Sequence, residues 1–380
     1  MSENGKLLAA LEQLDADRQD YVMATVTGVE GSAYRRPGAR MLISSHGVTV
    51  GTVSGGCLEG ELARRAWWLT ESGAPVVRSY QTGLKDGDAD EEEALAFGLG
   101  CNGTVHILLE RVTVGEAYLP VRLMRQVRKT GVPSIMATVT RGHVGSFGIG
   151  SRASFDSLAT VLPRDVPAAL REQLELDLRA AFSRGRTLSQ SYKVADEECE
   201  VLFEYMAPPH RLVIFGAGHD AQPLVDIAAH LGWQVAVIDA RRHFAVRERF
   251  PNADQVMHVG QDCELDLSSL LDGAAAVVMT HSLSQDRHWL AESLRHQCFY
   301  VGQLGPRERT ERLLLEMGAP AVCADQLHFP VGLDIGAESP EGVALSIMAE
   351  VTACLNHREG HSLRMRNTAI HEPLMSLRST

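Results

Sequence analysis

Two of the seven cysteines in this chain stand inside glycine-rich segments. Cys57 ends the segment Ser54-Gly55-Gly56-Cys57 and precedes Leu58-Glu59-Gly60-Glu61, a pattern typical of a glycine turn that enters a helix. A thiol at a helix start lies beside unpaired amides and the positive end of the helix dipole, which favour the thiolate that binds a metal or attacks sulfur. The same amides suit an anion, and a buried, unreactive cysteine is the alternative.

The second cysteine, Cys101, lies in the segment Phe97-Gly98-Leu99-Gly100-Cys101-Asn102-Gly103. Glycines on both sides of a thiol allow backbone and ligand to approach closely. The segment precedes a β-like run at residues 104–109, so a tight hairpin with a small buried residue is the alternative.

A cluster of arginines forms a third candidate site, in the segment Arg35-Arg36-Pro37-Gly38-Ala39-Arg40. Guanidinium groups offer forked donors to phosphate and to pterin-like edges. We expect Arg36 and Arg40 to lie near Cys57 if the strands that follow form a meander. A solvated basic loop is the alternative.

A glycine motif, Gly216-Ala217-Gly218-His219-Asp220-Ala221, follows an apolar strand and opens a helix. Gly216 allows the tight turn, Gly218 lets the backbone approach a pyrophosphate, and the small Ala221 lets helix and strand pack. Asp239 ends the next strand, where a carboxylate binds a ribose hydroxyl in NAD-binding proteins. Arginines follow it directly and suit a phosphate instead, so the motif predicts NAD, another nucleotide, or an empty inherited turn.

His281 is the remaining candidate, because it follows a predicted strand at residues 274–279. Open parallel sheets place their ligands at the carboxyl ends of their strands. We therefore expect His281 to contact a cofactor or to transfer a proton, with a structural histidine as the alternative.

The elements that must position these residues indicate an α/β protein. From residue 211 onward, strands at 211–215, 234–238, 274–279 and 299–301 alternate with helices at 221–231, 284–295, 307–317 and 340–355. This alternation predicts a Rossmann-like, doubly wound parallel sheet. The sequence Ala-Pro-Pro-His at residues 207–210 predicts the boundary before it.

An internal repeat appears in the preceding residues, because Met23-Ala24-Thr25-Val26-Thr27 recurs unchanged at residues 136–140. A helix-like segment precedes each copy and a Gly-Ser pair follows it. We predict two related α/β units, with the chemistry in the first. The predicted domains are residues 1–115, 116–207 and 208–360, followed by a tail at 361–380.

Composition excludes several classes of protein. The formal net charge of −12 disfavours a nucleic-acid or anionic-membrane surface. No signal peptide is recognised at the first twenty residues, and no apolar run reaches the roughly 20 residues that a bilayer requires. The scattered cysteines disfavour a disulfide framework and a zinc site, so we expect a cytoplasmic protein with reduced thiols.

Taken together, these motifs resemble the XdhC/CoxI family, accessory proteins of molybdenum hydroxylases such as xanthine dehydrogenase. The resemblance rests on the segments at residues 31–41, 51–60, 98–101, 215–219, 232–233, 239–241, 248–251, 300–302, 332–337 and 340–341. Ser282 departs from the pattern, since an aspartate commonly follows the histidine in the family.

The resemblance implies a molybdenum cofactor chaperone, rather than an enzyme, that supports sulfuration of the cofactor and delivers it to an apo-hydroxylase. It implies Cys57 and Cys101 as sulfur ligands of molybdenum, in keeping with the softness of thiolate. A cysteine desulfurase is the second implied partner, and we further expect a homodimer. An NAD(P)-dependent oxidoreductase built on the Rossmann-like domain is the alternative function.

Overall fold

A computed structural model describes residues 3–31, 34–56, 58–82, 103–164, 166–260, 266–318 and 325–366. The chain divides into two compact units, which separate between Pro208 and Pro209. We call them the N-terminal unit and the C-terminal unit. The predicted subdivision of the N-terminal unit at residue 115 stays a prediction.

The N-terminal unit consists of two antiparallel sheets with helices. In chain order its elements are α1 (Glu3–Ala16), β1 (Tyr21–Gly31), β2 (Arg40–Ser44), β3 (Thr49–Gly51), α2 (Glu59–Leu69), β4 (Val76–Thr82), β5 (Gly103–Val112), α3 (Leu119–Thr130), β6 (Ser134–Val144), β7 (Phe147–Gly148), β8 (Arg152–Asp156), β9 (Thr160–Val161), α4 (Ala168–Arg184), β10 (Leu188–Val194) and β11 (Glu197–Met206).

The two sheets have the same strand order. The first runs β3-β2-β1-β5-β4 and the second β9-β8-β6-β11-β10, with β7 as an additional strand paired to β6. The repeated pentapeptide begins at the third residue of the central strand in both halves, at Met23 and at Met136. We call residues 3–112 and 119–206 the first and second halves of this unit.

Local detail repeats as well, at the last threonine of the pentapeptide. The register shifts there in both central strands. The hydroxyl of Thr27 donates to the His106 carbonyl oxygen at 3.2 Å, and that of Thr140 donates to the Glu200 carbonyl oxygen at 3.2 Å. A bulge of this kind bends the strand and increases its twist, so both central strands change direction at the same place.

The register also makes two charged residues of each half equivalent. Arg40 and Arg152 each pair with the first threonine of their pentapeptide. Glu110 and Glu204 each pair with its methionine. Both halves therefore carry an arginine and a glutamate on either side of the central strand.

These charges join the halves crosswise. Both Nη atoms of Arg40 donate to the Glu204 carboxylate at 2.6 Å, and Arg152 forms an ion pair with Glu110. The Arg40 side chain is only 6% exposed. Arg40 was predicted to bind a cofactor. In the structure, Glu204 already occupies both ends of its guanidinium fork.

The C-terminal unit is a parallel sheet between helices. In chain order its elements are β12 (Arg211–Phe215), α5 (Ala221–His230), β13 (Gln234–Asp239), a 3-10 turn (Arg247–Arg249), β14 (Gln255–His258), α6 (Ser268–Leu271), β15 (Ala275–Val278), α7 (Leu283–Arg295), β16 (Tyr300–Gln303), α8 (Arg307–Glu316), β17 (Leu327–His328), α9 (Pro340–Leu355) and a second 3-10 turn (Leu363–Met365).

Its strand order, β14-β13-β12-β15-β16-β17, is that of a Rossmann fold, with every neighbouring pair parallel. The predicted fold class is confirmed: a mixed α/β chain that ends in a Rossmann-like parallel sheet. Apolar side chains cover both faces of the sheet, as sheets of this kind require. No helix among the described residues is long and apolar enough to cross a membrane.

Candidate functional site

In the first half of the N-terminal unit, two loops lie against each other. The meander of β1, β2 and β3 brings the segment after β1 beside the segment that leads into α2. A Cβ atom on Gly55 would lie 3.6 Å from the Tyr34 ring, and Nε of Arg35 donates to the Thr52 carbonyl oxygen at 3.2 Å. We call residues 34–36 and 52–56 the paired loops.

The start of α1 fixes this arrangement. The Glu3 carboxylate accepts from the Thr52 amide at 2.9 Å and forms an ion pair with Arg35. Arg35 therefore supports the loops and is not free to bind a ligand.

A serine and a glutamate shape the turn that leads into α2. The Glu59 carboxylate accepts from the amides of Val53 and Ser54 at 3.1 and 2.9 Å and from the Ser54 hydroxyl at 2.5 Å. Burial alone raises the pKa of Glu59, but these hydrogen bonds outweigh it and hold the pKa below its usual value. Glu59 is therefore an anion that belongs to the turn itself.

The Ser54 hydroxyl oxygen also accepts from the amides of Gly56 and Leu58, at 3.2 and 3.1 Å. We expected the amides of residues 54–56 to bind an anion, but those of Ser54 and Gly56 are engaged within the turn. The amide of Gly55 makes no hydrogen bond among the described residues. Ser54 organises the loop, and Gly55 is the predicted donor that stays free.

The surface of the paired loops combines a cation, an aromatic ring and open backbone. Tyr34 is 77% exposed. The guanidinium of Arg36 is exposed and has no partner among the described residues. A Cβ atom on Gly56, whose φ is +115°, would meet nothing within 4 Å, so a ligand can approach the backbone there.

Cys57 and Cys101 lie outside the described residues, so their roles as sulfur ligands stay predictions. Among the residues that the structure describes, no group of three or more His, Cys, Asp or Glu side chains could hold a metal ion.

The second half of the unit lacks the cation at the equivalent loop position. In the first half the Ala39 amide donates to the Arg36 carbonyl oxygen, and in the second half the Ser151 amide donates to that of Gly148. The register thus makes Gly148 the counterpart of Arg36. A glycine offers no charge for an anionic ligand, so the two halves differ at this position.

In the C-terminal unit, the glycine turn lies at the carboxyl end of β12. Gly216 has a φ of +121°, and a Cβ atom there would lie 2.7 Å from the carbonyl carbon of Met279. Gly218 is less constrained, because a Cβ atom there would first meet the Asp220 carboxylate. The turn has the geometry that the motif predicts.

Asp239, at the end of β13, is fully buried and bonded within the protein. Its carboxylate accepts from the Ala217 amide at 2.7 Å, from the Arg241 amide at 2.7 Å, and from Nε and Nη2 of Arg241 at 3.0 and 2.8 Å. Burial alone raises the pKa of Asp239, but the hydrogen bonds from Arg241 and Ala217 outweigh this effect and hold the pKa below its usual value. The carboxylate that would accept a ribose hydroxyl is already occupied.

An aromatic and cationic cluster beside this aspartate was missed from the sequence. Two guanidinium groups lie over the Phe244 ring, that of Arg241 at 4.0 Å and that of Arg249 at 4.6 Å from its centroid. His219, whose side chain is exposed, lies 6.5 Å from the same ring, edge to face. The sequence contains four arginines and a phenylalanine within the nine residues 241–249, but stacking of that kind depends on the turn between them.

His281 lies next to the glycine turn. Its backbone is left-handed, with a φ of +60°, which is uncommon for a residue with a side chain. Its Nε2 is 3.0 Å from the Asp220 carboxylate and 3.7 Å from where a Cβ atom on Gly218 would lie. The structure therefore brings Gly216, Gly218, His219 and His281 together, with Asp220 as an unpredicted partner of the histidine.

Comparison with known proteins agrees with this architecture. Residues 14–81 match the family model of the XdhC and CoxI family, and residues 212–351 match the XdhC Rossmann domain. The chain belongs to the XdhC and CoxI family. The first match contains the paired loops, and the second contains the glycine turn and His281.

Several relatives extend the similarity over nearly the whole chain. The chain is 29% identical to a probable xanthine dehydrogenase subunit of Bacillus subtilis, over 91% of this chain and 97% of the relative. It is 24% identical to the molybdenum cofactor insertion chaperone PaoD of Escherichia coli, over 90% and 85%. A crystal structure of a xanthine dehydrogenase from Bacillus halodurans has a TM-score of 0.71 at 29% identity, over 94% of this chain and 97% of that one.

One departure from the family pattern lies directly after His281. Ser282 stands where an aspartate commonly follows the histidine in XdhC proteins. In this chain the carboxylate beside the His281 ring is that of Asp220, in the glycine turn, at 3.0 Å from Nε2.

We expect Asp239→Asn to destabilise the C-terminal unit by about 1.5–3 kcal/mol at neutral pH, the range for hydrogen bonds to a charged group. Because the folded-state pKa of Asp239 is lowered from 3.8, its contribution is complete above that pH and is lost as the pH falls through the folded value. The stability difference between the two proteins, measured by urea unfolding, should thus shrink only in acid. An equal difference at every pH would contradict this account.

Proposed function

We propose that this XdhC-family protein binds molybdenum cofactor as cargo, supports its sulfuration and delivers it to a molybdenum hydroxylase of the xanthine dehydrogenase type. A cysteine desulfurase would supply the sulfur, and the exchange would take place in the cytoplasm. The observation that carries the proposal is the surface of the paired loops, where Arg36, Tyr34 and the backbone at residues 55–56 are accessible together.

This surface matches the chemistry of the cargo. Molybdenum cofactor has a phosphate, a fused pterin ring system and a dithiolene that binds the metal. Arg36 offers a guanidinium to the phosphate, and the exposed Tyr34 ring offers a face for stacking. The Gly55 amide adds a donor in the same place, while Ser54 and Glu59 hold the turn in shape.

Cys57 directly follows the paired loops in the sequence, and Cys101 belongs to the first half as well. We assign both as sulfur ligands toward molybdenum, because thiolates suit soft metals. Family membership supports the cargo itself, since PaoD is a molybdenum cofactor insertion chaperone and the Bacillus subtilis relative is a probable component of xanthine dehydrogenase.

Arg36→Ala should lower the affinity for the cofactor about 10- to 100-fold, because it removes a charge-assisted hydrogen bond. The protein is expressed in cells that synthesise the cofactor, and the purified protein is assayed for pterin fluorescence and for molybdenum. The control is Arg186→Ala, an exposed arginine in the second half. Wild-type protein without pterin would refute the proposed function, and equal pterin in both variants would refute the role of Arg36.

We assign to the C-terminal unit a role in binding a ligand, and not a role in hydride transfer. An NAD-dependent oxidoreductase would use Asp239 for the ribose, and that carboxylate is engaged by Arg241. The exposed Arg242 and the Phe244 cluster favour a phosphate-bearing group at this edge instead. Titration with NADH, followed by nicotinamide fluorescence, tests the alternative, and saturable binding with turnover would support it.

A further inference from the structure

A cysteine, a histidine and a glutamate meet at the far edge of the parallel sheet. Cys354 lies in the last turn of α9, and its Sγ is 3.7 Å from Nε2 of His328 on β17. On the other side of the ring, Nδ1 of His328 is 3.5 Å from Oε1 of Glu350, one turn earlier on α9. Thiol, imidazole and carboxylate thus follow one another in the order of a nucleophile, a base and an orienting group.

The imidazole is held in this orientation by its surroundings. The Tyr300 ring stacks on it at a centroid distance of 4.4 Å and an angle of 19°. The Glu350 carboxylate is itself fixed, because its Oε2 accepts from the Tyr300 hydroxyl at 2.5 Å and from the Gly332 amide at 2.8 Å. Both the base and the group that orients it are therefore positioned before any substrate arrives.

Cys354 differs from the other cysteines that the structure describes. Cys199 and Cys298 are buried, whereas Cys354 is partly exposed. Burial and the nearby Glu350 raise the pKa of the Cys354 thiol, so the thiol is protonated at rest. A protonated thiol needs a base that removes its proton when it reacts, and Nε2 of His328 lies next to the sulfur.

We propose that Cys354 and His328 form a thiol-exchange site for sulfur–sulfur bonds, with Glu350 as a positioning residue. His328 Nε2 takes the proton from Sγ, and Sγ attacks one sulfur of the substrate. The substrate S–S bond breaks, and the departing sulfur takes the proton from His328 and leaves as a thiol. A disulfide leaves a mixed disulfide on Cys354, and a persulfide attacked at its outer sulfur leaves a persulfide.

The position in the fold favours a sulfur electrophile over a carbonyl substrate. Cys354 lies at the carboxyl end of α9, where helix carbonyls point outward with partial negative charge. That field, together with Glu350, opposes the oxyanion that forms when a thiol attacks a carbonyl. Attack on an S–S bond forms no oxyanion, and the same field favours cationic substrates such as cystamine over anionic ones.

The experiment follows modification of each cysteine in the full-length protein by peptide mass after brief exposure to cystamine. A second arm uses cysteamine persulfide, which adds one sulfur atom instead of a mixed disulfide. We expect Cys354 to react, and His328→Gln to slow it about 100-fold, a typical contribution of a general base. Cys298 in the same digest is the control, since local unfolding would accelerate its modification too.

Two further variants separate chemistry from folding. Imidazole in the buffer should restore the reaction of His328→Gly, which a purely structural histidine would not allow. Glu350→Gln removes a charge that raises the pKa of the Cys354 thiol, so the midpoint of the pH–rate profile should move to lower pH. Equal Cys354 rates in wild type and His328→Gln, or no rescue by imidazole, would overturn the proposal, and neither outcome bears on cofactor binding at the paired loops.

Discussion

Arg40→Met is expected to destabilise the N-terminal unit by about 3–5 kcal/mol, the cost of leaving a buried charge without its partner. Glu204 is 8% exposed, and both of its carboxylate oxygens accept from Arg40 at 2.6 Å. Without the guanidinium, the buried carboxylate must stay charged without its two hydrogen bonds from Arg40 or take up a proton. Urea unfolding followed by circular dichroism measures the loss.

The equivalent pair in the other half supplies a matched control. Glu110 keeps a second partner when Arg152 is removed, because the Tyr118 hydroxyl donates to it at 2.5 Å. Arg152→Met should therefore cost less than Arg40→Met. Replacing Arg40 and Glu204 together by Met and Leu should recover most of the loss, since neither charge of that pair is then left buried without its partner. A double variant as unstable as the single one would argue against this explanation.

The duplication was predictable from the sequence only in part. The repeated pentapeptide marks the two central strands, because five identical residues are visible without any knowledge of pairing. The equivalence of Arg40 with Arg152 was not visible. These arginines follow their pentapeptides at different spacings, and only the antiparallel register places them opposite the same threonine.

The C-terminal unit was more accessible to prediction because its signals are local. Strand, glycine turn and helix follow one another within twenty residues, and β12 begins and ends at the predicted residues. The predicted helix at 340–355 begins as its sequence requires, since the hydroxyl of Ser339, directly before it, accepts from the Gly342 amide at 3.1 Å. The edge strands β14 and β17 were missed, because neither contains a buried residue and so neither shows the apolar run of a central strand.

Side-chain partners were the least predictable part of the candidate sites. Asp239 has the spacing of a ribose-binding carboxylate, but the Arg241 side chain folds back onto it. Ser54 has the composition of an anion-binding turn, but Glu59 supplies the anion from within the chain. In both cases a neighbour in sequence competes with the ligand, and the outcome depends on rotamers that a sequence pattern does not encode.

Gly216→Ala is expected to cost the C-terminal unit several kcal/mol, on the order of 2–6, because overpacking and left-handed strain add. The new Cβ atom would lie 2.7 Å from the Met279 carbonyl carbon and 3.0 Å from the Thr280 Cα, atoms of a central strand end that cannot move alone. Gly218→Ala is the control, because its Cβ would displace only the mobile end of the Asp220 side chain. It should leave the stability within about 1 kcal/mol of wild type, because only the far end of the Asp220 side chain must move, while separating Asp220 from His281 and so shifting the imidazole resonances in NMR spectra. The fold would thus require Gly216, whereas the site would require Gly218. Equal destabilisation by the two variants would contradict this distinction.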